Sequence, residues 1–229
     1  MRQIEVEDSA RVPVRSRLLT SVADHHWRHV LARLVDAQPG ELVCDMATGK
    51  GDAAIAIARR YSAIRVLAVD SSRNMLRGVR KKITAFHGCS NMRLMESDVY
   101  ATAIATATVD VLTVCFALSE IADRRGLLKE AHRVLRPQGR LYVMEHSLPG
   151  ARPIRFGDIA NAGHDIPVLG HLLPRHDGDG ECVPLAARGA SLAGIMEDIR
   201  ETGFKRVRVI PLGYGIAIVC AAIRSEDEG

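Results

Sequence analysis

The residues with the clearest chemical potential lie between Val43 and Arg60, where the sequence reads VCDMATGKGDAAIAIARR. An acid, Asp45, ends an apolar run, and two glycines, Gly49 and Gly51, separate it from an apolar helical pattern. Glycines at such a turn let the backbone approach a ligand closely, because no Cβ stands in the way. The unpaired N–H groups at the start of a helix favour a carboxylate or phosphate. The pattern predicts a ligand-binding turn between a strand and a helix.

The spacing of the glycines distinguishes between candidate ligands. A dinucleotide-binding turn reads GxGxxG, whereas this turn has no glycine three residues after Gly51. A second acid, Asp70, ends the next apolar run about 20 residues later, where a carboxylate can accept hydrogen bonds from both ribose hydroxyls. Taken alone, Asp45 is as well explained as a helix or turn cap. Together the two acids predict an adenosyl ligand across the carboxyl ends of the strands.

The hydrophobic pattern supplies the elements that position these residues. Short β-branched runs alternate with amphipathic stretches, which is typical of βα units in a parallel sheet. The link from Pro211 to Gly215 is too short for a crossover helix, so the last strand runs antiparallel to its neighbour. We predict a doubly wound, Rossmann-like α/β fold with a seven-stranded, mostly parallel sheet and an antiparallel last strand.

The predicted strands are Leu42–Met46, Arg65–Asp70, Met92–Glu96, Val109–Cys115, Arg140–Glu145, Lys205–Ile210 and Ile216–Ile223. The predicted helices between and after them are Ala53–Tyr61, Arg73–Thr84, Arg124–Leu135 and Ser191–Thr202, and Pro137 with Gly139 forms the turn that ends the third of these. We expect a single domain over residues 1–229, with an N-terminal helix over 16–35 and an irregular insertion over 150–189 above the active-site end.

The motifs resemble those of the ubiquinone/menaquinone biosynthesis C-methyltransferase family. That family typically shows a D-L-A-x-G-T-G-D turn, and this sequence reads DMATGKGD over residues 45–52. Further matches follow in order, namely VDSSRNMLRGVRKK (69–82), ESDV (96–99) and HRVLRPQGRLYVMEHS (132–147). The likeness extends from Leu18 to the C-terminus, and its first half is typical of adenosylmethionine methyltransferases in general.

The resemblance implies S-adenosylmethionine as the cofactor and S-adenosylhomocysteine as its product. Asp70 would bind the ribose, Asp98 would contact the adenine amine, and Met75 would pack on the adenine face. The turn that holds Asp45 and Gly49 would line the methionine end. The predicted cofactor-binding residues are Asp45, Met46, Ala47, Thr48, Gly49, Gly51, Asp70, Ser71, Met75, Ser97, Asp98, Val99, Cys115 and Phe116.

The chain departs from the family pattern after the fourth predicted strand. Where the quinone enzymes have F-G-L-R-N, this sequence has Phe116-Ala117-Leu118-Ser119-Glu120, so the Arg and the Asn are lost. In the cofactor turn, Lys50 replaces a usual Thr. These changes leave the cofactor-binding pattern intact. They concern the identity of the acceptor.

Methyl transfer from a sulfonium is an in-line displacement, in which the enzyme aligns nucleophile and methyl group and excludes water. A phenolic carbon nucleophile gains from removal of its hydroxyl proton, so a His or carboxylate nearby could act as a base. The predicted catalytic residues are Glu145 and His146 at a strand tip and His164 in the insertion, where Asp165 and His171 are further candidates. Each has an alternative role, as a solvated loop histidine or, for Glu145, as a partner for backbone N–H groups.

The histidines near the first helix raise the question of a metal. His25 and His29 have the i, i+4 spacing of a ligand pair, but no third ligand is apparent. The polar loop over residues 176–181 lacks the full calcium-binding pattern. We predict no metal site, and we expect Trp27 to pack over the mouth of the pocket.

Composition fits one globular domain, since 47% of the 229 residues are hydrophobic and 25% are charged. The net charge of +4 is spread along the chain, which argues against a nucleic-acid partner. Five cysteines without CxxC spacing fit free thiols in a reducing cytoplasm, where we place the protein. No apolar stretch reaches the ~20 residues of a membrane helix. Peripheral membrane contact, a lipophilic acceptor and a homodimer stay open.

The leading interpretation is therefore a methyltransferase acting on a small-molecule acceptor, by C-methylation of a quinol or related aromatic precursor. Two alternatives remain. One is O- or N-methylation of an unrelated small molecule, and the other is a non-catalytic cofactor-binding subunit, because a fold does not fix a function. A nicotinamide-dependent reductase is disfavoured by the missing third glycine.

Overall fold

The computed structural model describes residues 25–85, 88–146, 192–212 and 217–226. Helix α1 occupies residues 25–34. The elements that follow are β1 (Leu42–Met46), α2 (Asp52–Arg60), β2 (Arg65–Asp70), α3 (Arg73–Ala85), β3 (Met92–Glu96), β4 (Val109–Cys115), α4 (Arg124–Val134), β5 (Leu135–His146), α5 (Leu192–Glu201), β6 (Phe204–Leu212) and β7 (Ala217–Arg224).

The seven strands form one sheet in the order β3-β2-β1-β4-β5-β7-β6. Strands β1 to β5 pair in parallel, and β7 runs antiparallel to both β5 and β6. The predicted doubly wound α/β sheet with an antiparallel last strand is confirmed. The strand order reverses between β1 and β4, and ligands of such sheets bind outside the carboxyl ends of the strands at this switch point.

Alternate residues of each strand bury their side chains on opposite faces of the sheet, as the pleat requires. On one face, Val43 and Val111 pack with residues of α1, α2 and α3. On the other face, Cys44 and Leu112 pack with residues of α4 and α5. Because helices cover both faces, the central strands are apolar at nearly every position and could be located as β-branched runs.

The fifth strand differs from the prediction. It begins at Leu135, directly after α4, and Leu135 already pairs with Val109, so the predicted start at Arg140 is wrong. The next pairs join Val111 to Arg140, which leaves residues 136–139 of β5 opposite Asp110 alone. The predicted turn at residues 137–139 is thus a bulge within the strand, where an extra stretch of chain bends one strand without ending the pairing.

Several predictions fall wholly or partly outside the residues that the structure describes. The predicted helix 16–35 is confirmed over residues 25–34, and its first part lies outside the described residues. The insertion 150–189, with His164, Asp165 and His171, also lies outside them. Cys44, Cys89 and Cys220 have free thiols, as predicted. Of the helices in the described part of the chain, none combines the length and the apolar character that crossing a membrane requires.

Candidate active site

The Asp70 carboxylate joins the tips of the first strands. Its Oδ2 accepts a 2.7 Å hydrogen bond from the Gly49 N–H, and its Oδ1 accepts one of 2.8 Å from the Ser72 N–H. The Asp70 carbonyl accepts the Ser97 N–H at 3.1 Å. The turn after β1, the start of α3 and the tip of β3 therefore meet at this one acid.

The two glycines of the turn have different surroundings. Both have left-handed backbone, with φ of 53° at Gly49 and 73° at Gly51. A Cβ built on Gly49 would meet no atom of the described residues within 4 Å, so this part of the chain leaves open space in front of the Gly49 backbone. A Cβ on Gly51 would lie 2.7 Å from the Val79 methyl groups of α3. Gly49 faces room for a ligand, whereas Gly51 permits close packing of α2 on α3.

Asp45 lies beneath the turn. It is fully buried, and its two oxygens accept hydrogen bonds of 2.5 Å from the hydroxyls of Thr48 and Thr113. Burial raises the pKa of the Asp45 carboxyl, and the hydrogen bonds from Thr113 and Thr48 oppose that rise. In this geometry the carboxylate ties the turn to β4, which is the cap role that its residue type also allowed.

The residues predicted for the adenine end lie at the tip of β3 and the start of α3. Asp98 is exposed and accepts the Tyr100 N–H at 2.9 Å, and Val99 beside it is buried. Met75 is 44% exposed and Tyr100 is 40% exposed, a degree unusual among the large hydrophobic residues described. Tyr100 is not among the predicted residues, although an aromatic residue directly after the ESDV motif was a usable signal.

Glu145 is 2% exposed at the tip of β5. Its Oε1 accepts the N–H groups of Leu118, at 2.7 Å, and Ser119, at 3.3 Å, while its Oε2 accepts the Ser119 hydroxyl at 2.9 Å. Burial raises the pKa of the Glu145 carboxyl, against the opposing effect of these hydrogen bonds. Of the two roles left open by the sequence, this geometry matches a partner for backbone N–H groups.

Trp27, Phe116 and His146 form an aromatic cluster at the tips of β4 and β5. The Phe116 and His146 rings are stacked, with centroids 4.3 Å apart and an interplanar angle of 20°. The Trp27 ring of α1 lies 6.3 Å from Phe116 and 6.0 Å from His146, measured between centroids. The Arg28 guanidinium carbon lies 5.0 Å from the centre of the Phe116 ring. An aromatic surface with a cation and an imidazole can hold a planar, electron-rich ring.

His25 and His29 of α1 contact each other. The His25 and His29 Nε2 atoms are 3.1 Å apart. Partial burial, followed by the charge of His25, lowers the pKa of His29. Among the residues that the structure describes, no three His, Cys, Asp or Glu side chains are grouped as metal ligands.

Both groups of predicted residues lie at the carboxyl edge of the sheet. The residues after β1, β2 and β3 line one part of this edge, and they include Ser71 and Ser97 with the residues described above. Cys115 and the aromatic cluster lie at the adjoining part, at the tips of β4 and β5. Parallel strands place their carboxyl ends together, so the two parts adjoin at this edge of the sheet.

Comparison with known proteins links this chain to one family. Residues 16–224 match the model of the ubiE/COQ5 methyltransferase family. A ubiquinone/menaquinone biosynthesis C-methyltransferase of Syntrophotalea carbinolica is 33% identical over 222 residues, covering 94% of this chain and 90% of the relative. A demethylmenaquinone methyltransferase of Bacillus cereus is 26% identical, covering 88% of this chain and 86% of the relative.

The fold also resembles that of a solved structure. The crystal structure of a SAM-dependent methyltransferase from Aquifex aeolicus superposes with a TM-score of 0.65. The superposition covers 93% of this chain and 99% of that one, at 17% identity. At this identity the likeness concerns the fold alone.

Proposed function

The chain belongs to the ubiE/COQ5 methyltransferase family and uses S-adenosylmethionine, and from this premise we propose that it methylates a ring carbon of a quinol or related aromatic acceptor. The observation that supports this acceptor is the stack of Phe116 on His146 beside the cofactor turn. The two relatives above are named for ubiquinone/menaquinone biosynthesis and for demethylmenaquinone.

The described residues fit the cofactor. Each Asp70 oxygen accepts one backbone hydrogen bond, and a carboxylate oxygen can accept about two, so capacity remains for the ribose hydroxyls. The open space at Gly49 suits the methionine part. We assign the adenine to the surface of Met75, Asp98 and Tyr100. The remaining predicted residues complete the wall of the site, namely Met46, Ala47, Thr48, Gly51, Ser71, Ser97, Val99, Cys115 and Phe116.

When bound, S-adenosylmethionine supplies an electrophilic methyl group on a sulfonium. The protein must hold the acceptor carbon in line with that methyl group and keep water away. We assign His146 as the base that accepts the phenolic proton, because its imidazole is half-buried and stacked on Phe116. The Trp27 indole N–H is buried and has no hydrogen-bond partner among the residues that the structure describes. A quinol oxygen would satisfy that donor.

The test is methyl transfer to a reduced demethylmenaquinone with a short prenyl chain, using a ¹³C-labelled methyl donor. Carbon-bound and oxygen-bound methyl groups give well-separated NMR signals, so the spectrum identifies the atom that is methylated. We expect a carbon-bound methyl group. An oxygen-bound signal, or transfer only to an unrelated acceptor, would favour the alternative of O- or N-methylation.

A non-catalytic subunit is the second alternative. It would bind S-adenosylhomocysteine in calorimetry without transferring a methyl group to any acceptor.

A prenylated quinol is lipophilic, so the proposal includes a cytoplasmic enzyme that meets its acceptor at a membrane surface. Activity that rises when the quinol is presented in vesicles would support that part.

A further inference from the structure

We propose that Glu145 is a positioning residue, which clamps the turn over residues 116–119 so that the Phe116 ring stands where the acceptor binds. The proposal rests on the function proposed above, because it requires an acceptor site at the tips of β4 and β5. It assigns Glu145 a role through its neighbours and not through contact with the acceptor.

The clamp uses both oxygens of one buried carboxylate. Oε1 accepts the Leu118 and Ser119 N–H groups, and Oε2 accepts the Ser119 hydroxyl. Two consecutive backbone amides and a side chain are therefore held by the same residue. If the carboxylate is removed, these donors lose their partner at a buried position, which is more costly than the loss of an exposed hydrogen bond.

Phe116 is the residue that the clamp constrains. Its backbone has a φ of 53°, in the left-handed region that residues with a side chain rarely adopt. Its N–H donates to the Met144 carbonyl at 2.7 Å, so one end of the turn is tied to β5. Such a conformation persists only where the surroundings hold it. The Glu145 contacts supply the second tie, two and three residues further along the chain.

The clamp is built on an interior strand of the sheet. β5 lies between β4 and β7, and Glu145 itself pairs with Ile218 of β7. Groups built on paired strands are placed more accurately than groups on loops. Because Glu145 is fixed in the sheet, its hydrogen bonds hold the turn in place. The turn in turn holds the Phe116 ring in a defined position against His146.

The clamp includes a residue that departs from the family pattern. Ser119 stands where the quinone enzymes have an Arg, and its hydroxyl donates to Glu145. The three described donors to this carboxylate are all neutral. The contacts fix geometry and leave no exposed carboxylate surface for an acceptor, since Glu145 is 2% exposed.

Three variants separate positioning from proton transfer. E145A removes every contact of the clamp, whereas E145Q keeps a carbonyl oxygen for the backbone amides and an NH₂ group that can donate to the Ser119 hydroxyl. The matched control is E130Q. Glu130 is likewise buried and accepts the Thr102 N–H and hydroxyl, at 2.7 and 2.6 Å, on the segment that leads into the amino end of β4.

The readouts are chosen so that a general loss of stability does not mimic the result. Trp27 is the only tryptophan of the sequence, is 3% exposed and lies against Phe116 and His146. Acrylamide quenching of its fluorescence therefore reports on the aromatic cluster and needs no acceptor. The other measurements are the S-adenosylhomocysteine Kd by calorimetry, and kcat and KM with the reduced, short-chain demethylmenaquinone.

For E145A we expect stronger quenching and a fall in kcat/KM of about tenfold or more, because small misplacements in a site are costly. E145Q should stay within about threefold of wild type in kcat/KM, and the cofactor Kd should change less than about twofold in either variant. E130Q should leave quenching, cofactor Kd and KM unchanged.

The proposal is overturned if E145Q and E145A lower kcat equally with unchanged quenching, because that pattern belongs to a base. It is also overturned if neither variant alters quenching or kcat/KM. Should E145A fail to fold, the comparison of E145Q with E130Q still tests the proposal. Positioning predicts that E145Q preserves the aromatic cluster, so stronger quenching in E145Q than in E130Q would overturn it. If wild type transfers no methyl group to the quinol, the acceptor is wrong, and quenching with cofactor Kd still tests the clamp.

Discussion

The Gly49 amide donates a 2.7 Å hydrogen bond to Asp70, so the turn after β1 and the tip of β2 are joined through the carboxylate assigned to the ribose. Asp70 also accepts the Ser72 N–H at the approach to α3. A change at this acid therefore alters both the ligand contact and the shape of the turn that faces the ligand.

We expect Asp70→Asn to weaken S-adenosylhomocysteine binding by about 1 to 3 kcal/mol, because an amide cannot accept all the hydrogen bonds that a carboxylate accepts. Calorimetry measures the change. The control is Asp110→Asn, since Asp110 also accepts a backbone N–H, from Leu42, but at the amino end of the sheet. Unchanged cofactor affinity in the Asp70 variant would remove the ribose from this position.

The two glycines should respond differently to alanine. Gly49→Ala adds a methyl group in open space at a left-handed φ, so we expect it to lower the free energy of unfolding by only about 1 kcal/mol while weakening cofactor binding. Gly51→Ala would force a methyl group to within 2.7 Å of Val79. It should lower the melting temperature more strongly. Thermal unfolding and calorimetry on both variants check this, and equal effects on stability would contradict it.

Tyr100 should contribute to cofactor binding, because an exposed aromatic ring beside Asp98 offers a surface for the adenine. Stacking of a base on an aromatic side chain is worth about 1 to 3 kcal/mol by alanine substitution. We expect Tyr100→Ala to weaken S-adenosylhomocysteine binding within that range and Tyr100→Phe to leave it unchanged. Equal losses in both variants would point to the hydroxyl, and no loss in either would exclude this ring from the site.

Local pattern was sufficient to predict the strands that hold the residues proposed for the cofactor. β1 to β4 are apolar runs buried on both faces, and the acids at positions 45 and 70 mark strand ends. Such signals depend on neighbouring residues only. The bulge in β5 was missed because Pro137 and Gly139 have the same composition as an ordinary turn, and only pairing with β4 distinguishes the two.

The side-chain partners could not be predicted in the same way. Asp45 accepts a hydrogen bond from Thr113, and Glu145 accepts three from Leu118 and Ser119, although these residues are far apart in the chain. Which donors meet a carboxylate depends on the order of strands in the sheet. The position of Trp27 against Phe116 has the same origin, since it requires α1 to pack beside the switch point.

The buried Asp45 should make stability depend on pH in a defined direction. Burial raises the pKa of its carboxyl above the ordinary value of 3.8, so ionisation is harder in the folded than in the unfolded chain. Its contribution to stability is therefore complete below the unfolded pKa and is lost as the pH rises through the folded pKa.

Asp45→Asn removes this titration and should gain stability relative to wild type over the same window, by at most about 1.4 kcal/mol per pH unit. Urea unfolding of both proteins across a pH series measures the difference. Thr113→Val removes a hydrogen bond that lowers the Asp45 pKa, so in a chain that retains Asp45 we expect it to extend the loss of stability to higher pH. A difference that stays flat with pH, or that grows on acidification, would show that the folded protein does not raise this pKa.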